Sequence, residues 1–155
     1  MPQVIPAAIR RRPRKGLLLF PEFPPNSFWS YYYILRLIGR KATFPPLGLL
    51  TFAALLPDEW ELELVDLNVN RTPDAELRRK VAEADVAFIS AMSIQKRGLV
   101  EILNAARGLA TPIVLGGPLA SSYREQILDP TTESDLVLHR GLDVLVWGEA
   151  APIMT

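Results

Sequence analysis

The sequence predicts an α/β protein in three layers, with one parallel sheet of about five strands and helices on both faces. Short apolar runs recur along the 155 residues and alternate with longer segments of helical periodicity. Several of these runs are apolar throughout, which is typical of strands that are buried on both faces. Strands that alternate with helices in this way pair in parallel through right-handed crossovers.

Five segments are predicted as strands: residues 16–20, 61–67, 86–90, 113–115 and 143–147. The second begins with alternating acidic and apolar residues, which favours a position at the edge of the sheet. This placement predicts the doubly wound, flavodoxin-like order 2-1-3-4-5 and leaves the Rossmann order as the alternative. No helix follows the fifth strand, so we expect that the final helix is missing and that the domain is C-terminally truncated or covered by a partner.

The first crossover helix is predicted at residues 44–57, where Pro45 and Pro46 suit the first turn. Both of its faces are apolar, so both must be covered. One face comprises Leu47, Leu50, Thr51, Ala54 and Leu55, and the opposite face comprises Leu49, Phe52, Ala53 and Leu56. We expect the sheet to cover one side. The side that carries Leu49, Phe52 and Leu56 is expected to meet either the preceding segment or a partner.

A long aromatic connection, residues 21–41, follows the first strand. Connections of this length usually have a function or wrap the core. Residues 30–40 are predicted as a short helix with Ile34, Leu37 and Ile38 facing inward. Further helices are predicted at residues 73–84, around residues 99–106 and at residues 123–128.

Composition and charge narrow the classes of function. The chain has no cysteine, which excludes disulfides and any iron–sulfur cluster held by this chain. Residues 1–14 are basic and are predicted as a disordered tail, with the domain at residues 15–155. The remainder of the chain is mildly acidic, which argues against nucleic-acid binding. No apolar run is long enough to span a membrane, and a cytoplasmic location is expected.

Ligands of open parallel sheets bind beyond the carboxyl ends of the strands. The dinucleotide motif G-x-G-x-x-G and the phosphate-binding motif G-x-x-x-x-G-K-[ST] do not occur in the sequence. Gly116 and Gly117 follow the fourth strand, and two glycines let a backbone approach a bulky ligand closely, although a tight turn accounts for them equally well. Serines near the same edge, such as Ser90 and Ser121, leave room for a large ligand, and each would also serve as a helix cap or a solvated loop residue.

Six short segments carry the most specific pattern in the chain. They are P-P-N-S-F-W-S (residues 24–30), F-P-P-L-G-L-L-T (44–51), V-D-L-N-V (65–69), S-A-M-S-I-Q (90–95), G-G-P (116–118) and G-E-A (148–150). In this order and spacing they resemble the N-terminal cobalamin-binding domain of cobalamin-dependent radical SAM proteins, especially the hopanoid-methylase-like group. The resemblance covers about residues 15–150.

The resemblance implies that the chain binds cobalamin (vitamin B12). The implied contact residues are Ser90, Ala91, Met92, Ser93, Gln95, Gly116, Gly117, Pro118, Ser121, Gly148 and Glu149. Residues 90–95 would face the lower side of the corrin ring or its tail, with Met92 and Gln95 nearest the cobalt. Residues 116–118 would flank the nucleotide tail, and residues 148–149 would close the far side.

Two departures qualify the implied function. Cobalamin domains of the methionine-synthase type carry D-x-H-x-x-G after the first strand, whereas residues 21–26 contain no histidine. The resemblance therefore implies cobalamin bound base-off, with no protein histidine on the cobalt. The radical SAM half, with its C-x-x-x-C-x-x-C motif, is also missing from the sequence, so this chain alone is not expected to be an enzyme.

The predicted function is a cobalamin-binding module of a radical SAM methyltransferase-type system, with a separate radical SAM catalytic domain as a candidate partner. One alternative is a non-binding remnant that acts as a structural or protein-interaction domain. Another alternative is an unrelated flavodoxin-like domain that binds a different small molecule.

Overall fold

The computed structural model describes residues 15–42, 44–128 and 141–148. These residues contain one five-stranded sheet of order β2-β1-β3-β4-β5, in which every neighbouring pair is parallel. The predicted fold class and strand order are confirmed, including the edge position of the second strand, and the Rossmann order is excluded. The predicted tail at residues 1–14 and the residues from 149 onward lie outside the described residues.

The strands are β1 (Lys15–Phe20), β2 (Glu61–Asp66), β3 (Val86–Ser90), β4 (Ile113–Gly116) and β5 (Val144–Leu145). The fifth is shorter than predicted, because only Val144 and Leu145 pair with β4 as a ladder. One hydrogen bond on each side of this ladder extends the contact between β4 and β5. The Asp143 carboxylate accepts a hydrogen bond from the Ile113 amide at 2.7 Å, and the Val146 amide donates to the Leu115 carbonyl at 2.8 Å.

The helices are α1 (Tyr32–Leu37), α2 (Leu47–Leu55), α3 (Asp74–Glu83), α4 (Lys96–Ala106), α5 (Pro118–Ser122) and α6 (Arg124–Leu128). Two short 3-10 turns, Phe28–Ser30 and Ser93–Gln95, lie in the loops that follow β1 and β3. Within the described ranges, no helix combines the length and the apolar character that crossing a membrane requires.

One face of the sheet is covered by α3 and α4. Leu19 and Leu115 of the sheet are fully buried there, together with Val81 of α3 and Ile102 of α4. The Arg78 guanidinium, on α3, donates to the carbonyls of Ala105 and Arg107 at 2.8 and 2.9 Å. Because the last carbonyls of a helix have no partner within the helix, this side chain both caps α4 and joins it to α3.

The opposite face of the sheet packs against α2. Leu49 is 3% exposed and packs with Leu18, Phe88 and Val114 of the sheet. The ring of Phe52 lies 4.9 Å from that of Phe88, centroid to centroid. The face predicted to point away from the sheet is therefore the one that contacts it, and this expectation was wrong.

The outer side of α2 is exposed. Leu47 is 67% exposed, and Leu50 is 38% exposed. The connection after β1 leaves these side chains exposed, so the described residues cover this apolar helix on one side only. Because both faces of α2 have similar hydrophobicity, periodicity does not predict which face contacts the sheet. The aromatic contact between Phe52 and Phe88 determines it.

The inward face of α1 also differs from the prediction. Leu35 is buried, whereas Ile34, Leu37 and Ile38 are 57%, 86% and 58% exposed. Tyr31 adopts a left-handed conformation (φ 44°) between the 3-10 turn and α1. That turn sets the direction of a helix only six residues long, which has room for a single inward position.

Replacing Leu49 by alanine tests which face of α2 meets the sheet. We expect Leu49→Ala to lower the free energy of unfolding by about 2–4 kcal/mol, because it leaves a cavity beside Phe88. Leu47→Ala, an identical change two residues earlier on the exposed side, should stay within about 0.5 kcal/mol of the wild type. Urea denaturation measures both, and equal losses would contradict the assignment.

Candidate functional site

An apolar groove of about 380 Å³ lies between α2 and the carboxyl half of the sheet. From α2 it is lined by Gly48, Thr51 and Leu55, which follow one another at helical spacing, and also by Leu49 and Phe52. We call this space the apolar groove. Its size is within the range of small-molecule sites, and its position at the carboxyl ends of parallel strands is where such sites occur.

The floor of the apolar groove is formed by Phe88, Val114 and Val146, one from each of three adjacent strand regions. The described residues that line it include no charged side chain. Ser90 and Thr51 contribute the only hydroxyl groups among them. The groove therefore suits an uncharged, flat or apolar group that needs at most a few hydrogen bonds.

The rim of the apolar groove brings together five of the predicted contact residues: Ser90, Gly116, Gly117, Pro118 and Gly148. A side chain at Gly116 would meet nothing nearer than 3.8 Å, so the backbone there is open to the groove. Gly117 differs, because its φ is +86° and a Cβ atom would lie 2.6 Å from Ser90 Oγ. The close approach of the β3 and β4 ends thus requires a glycine at position 117.

Ser121 lies behind the rim rather than in the lining. Its hydroxyl accepts a hydrogen bond from the Gly148 amide at 3.1 Å and donates to the Gly117 carbonyl at 3.4 Å. It therefore connects the end of β4 with the segment after β5. Glu149, the remaining predicted contact on that side, lies outside the described residues.

In the loop after β3, Gln95 lies in the interior of the protein. This side chain is fully buried, and its amide nitrogen donates to the Pro21 carbonyl at 2.6 Å while its amide oxygen accepts from the Met92 amide at 2.8 Å. Both ends of the amide are engaged, so the side chain does not reach the rim. Ala91 is likewise buried, while Ser93 is exposed and Met92 half-buried; none of them lines the groove.

The contribution of α2 to the groove was missed from the sequence. Its residues were treated as core, and the signal that could have indicated a site is Gly48 within an otherwise apolar helix. A Cβ atom built there meets nothing within 4 Å. Glycine costs roughly 0.5–1 kcal/mol in a helix relative to alanine, so an unfilled position beside a groove is consistent with room kept for a ligand.

The charged side chains of the described residues lie outside the lining of the apolar groove. In the described ranges, no three acidic or histidine side chains converge on a point that could hold a metal ion. The pKa of Arg79, on α3 at the other face of the sheet, is raised by its hydrogen bond to Glu83. The groove thus offers shape and apolar surface rather than acid–base chemistry.

Comparisons with known proteins give concordant results. The family model described as "B12 binding domain" matches residues 35–152, more than half of the chain. The chain is 38% identical over 146 residues to an uncharacterized methyltransferase of Synechocystis sp., an alignment that covers 90% of this chain and 26% of that protein. It is 37% identical over 110 residues to a hopanoid C-2 methylase of Rhodopseudomonas palustris, covering 70% of this chain and 20% of that protein. The chain thus spans about a quarter or less of the length of these relatives, and no solved structure matches it.

Removing the buried amide of Gln95 tests its assigned role. We expect Gln95→Leu to lower the free energy of unfolding by about 2–4 kcal/mol, because the Pro21 carbonyl and the Met92 amide would both lose their partner inside the protein. Gln126→Leu makes the same change at an exposed position of α6 and should be nearly neutral. Thermal or urea unfolding followed by circular dichroism measures both, and a neutral Gln95→Leu would refute the assignment.

Proposed function

The chain belongs to the B12-binding domain family, whose cofactor is cobalamin, and on this premise we propose that it is the cobalamin-binding module of a radical SAM methyltransferase-type system. The family membership supports cobalamin binding. The relatives, named as a methyltransferase and a hopanoid C-2 methylase, support the methyl-transfer system. The observation that carries the proposal is the uncharged groove of about 380 Å³ at the carboxyl edge of the sheet.

The chemistry of the apolar groove fits one part of cobalamin. The nucleotide tail ends in a flat aromatic base, which is compatible with a floor of Phe88, Val114 and Val146. The groove is too small for the whole cofactor and large enough for this tail. Gly48 and Gly116 leave the space open, and the hydroxyl of Thr51 or Ser90 would hydrogen-bond the polar atoms of the tail.

We propose that no side chain of this chain coordinates the cobalt. The segment directly after β1 contains no histidine, and the one histidine of the chain, His139, lies outside the described residues. Gln95 uses both ends of its amide within the protein. These observations support a base-off mode in which the tail occupies the apolar groove instead of the cobalt. Bound cobalamin supplies a carrier for a methyl group, and the residues of this chain hold and orient it.

The proposal includes a separate catalytic segment. A chain with no cysteine cannot bind an iron–sulfur cluster through thiolates, so a radical SAM reaction needs that cluster on another segment. The exposed outer side of α2, with Leu47 and Leu50, is an apolar surface on which such a segment would pack. The relatives are four to five times longer than the part aligned here, which supports a catalytic segment of that kind.

Titration of the purified chain with hydroxocobalamin tests the proposal. We expect a shift of the absorption spectrum towards a base-off species and co-elution of cobalamin with the protein in gel filtration. A folded chain that causes no spectral shift and retains no cobalamin would contradict the proposal and would favour the structural or interaction role instead.

Filling the groove is the sharper version of this test. Gly48→Leu should weaken cobalamin binding tenfold or more, about 1.4 kcal/mol, by occupying the space for the tail. The same variant should keep or raise thermal stability, because leucine is a better helix former than glycine. Ala54→Leu, on the exposed side of α2, is the matched control and should bind like the wild type. Unchanged binding by a folded Gly48→Leu would place the tail elsewhere.

Charge placed on the outer side of α2 tests the partner surface. The remaining portion of the Synechocystis relative, expressed separately, should bind this chain, and Leu47→Glu should weaken that binding at least fivefold. The control Leu128→Glu puts the same charge at a 55% exposed leucine of α6. Calorimetry measures both, and equal affinities for the two variants would exclude this surface.

A further inference from the structure

A second cavity, of about 300 Å³, lies at the other end of the carboxyl edge, between the connection after β1 and the loop after β2. It shares no lining residue with the apolar groove. Its lining includes four basic side chains, Arg36, Arg40, Lys41 and Arg71, and one acidic side chain, Glu22. We call this space the basic cavity. Its charge contrasts with the remainder of the chain beyond the first fifteen residues, which is mildly acidic.

One wall of the basic cavity is fixed by Asn68. Its amide oxygen accepts from the Phe23 amide at 2.8 Å, and its amide nitrogen donates to the Pro21 carbonyl at 3.1 Å. The same nitrogen donates to the Asp66 carboxylate at 2.8 Å, which holds the side chain in this orientation. The ring of Phe23 in turn meets Phe20 edge to face at 5.8 Å. Hydrogen bonds and a ring contact therefore hold the side of the cavity where the segments after β1 and β2 meet.

Three of the four basic side chains make no ion pair with another described residue. Across the described part of the chain, no ion pair involves Arg40, Lys41 or Arg71. Cations gathered around one concavity repel each other, and this repulsion is relieved when an anion binds between them. Arginine and lysine are also the side chains that proteins use to bind carboxylate and phosphate groups.

The basic cavity has an apolar wall as well, formed by Leu35, Phe44 and Val69. A purely inorganic ion would leave that wall in contact with water. We propose that the basic cavity binds a small organic dianion, a phosphate monoester or a short dicarboxylate, with its charged groups on Arg40, Lys41 and Arg71 and its carbon atoms on the apolar wall. This site is separate from the one proposed for cobalamin and does not depend on it.

Titration of the ¹⁵N-labelled chain by NMR tests the proposal. The probes are glycerol 3-phosphate, succinate and inorganic phosphate, at constant ionic strength and pH. We expect saturable shifts of backbone amides at residues 22–23, 36–42 and 68–71, and binding of an organic dianion at least threefold tighter than that of inorganic phosphate. The preferred organic probe distinguishes the phosphate ester from the dicarboxylate. Shifts that do not saturate, or that spread over the whole surface, would overturn the proposal.

Matched charge variants make the test specific. Arg40→Gln combined with Arg71→Gln should weaken binding roughly fivefold or more, in keeping with two lost charge interactions at partly exposed positions. Arg79→Gln combined with Arg107→Gln removes the same charge elsewhere and should leave the affinity within twofold. Glu22→Gln, which removes the one carboxylate of the lining, should tighten binding. Equal losses in the two double variants would show that only net charge matters and would reject the site, while the cobalamin titration reports separately on the apolar groove.

Discussion

The carboxyl edge of the sheet is held together by hydrogen bonds across each pair of neighbouring strands, and both cavities depend on them. Asn68 joins the end of β2 to that of β1, and Gln95 joins the end of β1 to the loop after β3. The Leu119 amide donates to the Ala91 carbonyl between β4 and β3, and Ser121 connects β4 with the segment after β5. Parallel strands end at this one edge with backbone groups that need partners, and these bonds supply them where the chain turns away.

The strand order and the position of the edge strand were predictable because they follow from local patterns, namely apolar runs and the alternation in β2. The orientation of α2 was not, because its two faces are equally apolar and the deciding contact, Phe52 with Phe88, joins distant segments. The prediction for α1 failed for a backbone reason. The positive φ of Tyr31 could not be predicted from the sequence, because glycine or asparagine is the usual residue in that conformation.

The candidate site was predictable in part for similar reasons. Glycines that follow a strand mark close approach of backbones, and the structure does bring Gly116, Gly117 and Gly148 to one rim. Gln95 belongs to the same segment by sequence, but its partner Pro21 is 74 positions away, and no local pattern separates a buried amide from one that meets a ligand. Gly48 was not predicted as a site residue because the apolar residues around it in α2 are fully explained as core residues.

The central position of β1 has a consequence for synthesis of the chain. Leu17, Leu18 and Leu19 are almost completely buried. The strand pairs with β2 on one side and with β3 on the other. At translation rates of about 5–20 residues per second, β1 remains without either neighbour for several seconds after it is made. An unpaired leucine-rich strand is a template for wrong pairing during that interval. The nascent chain is therefore most vulnerable to aggregation before β3 emerges. At that stage neither the apolar groove nor the basic cavity has formed.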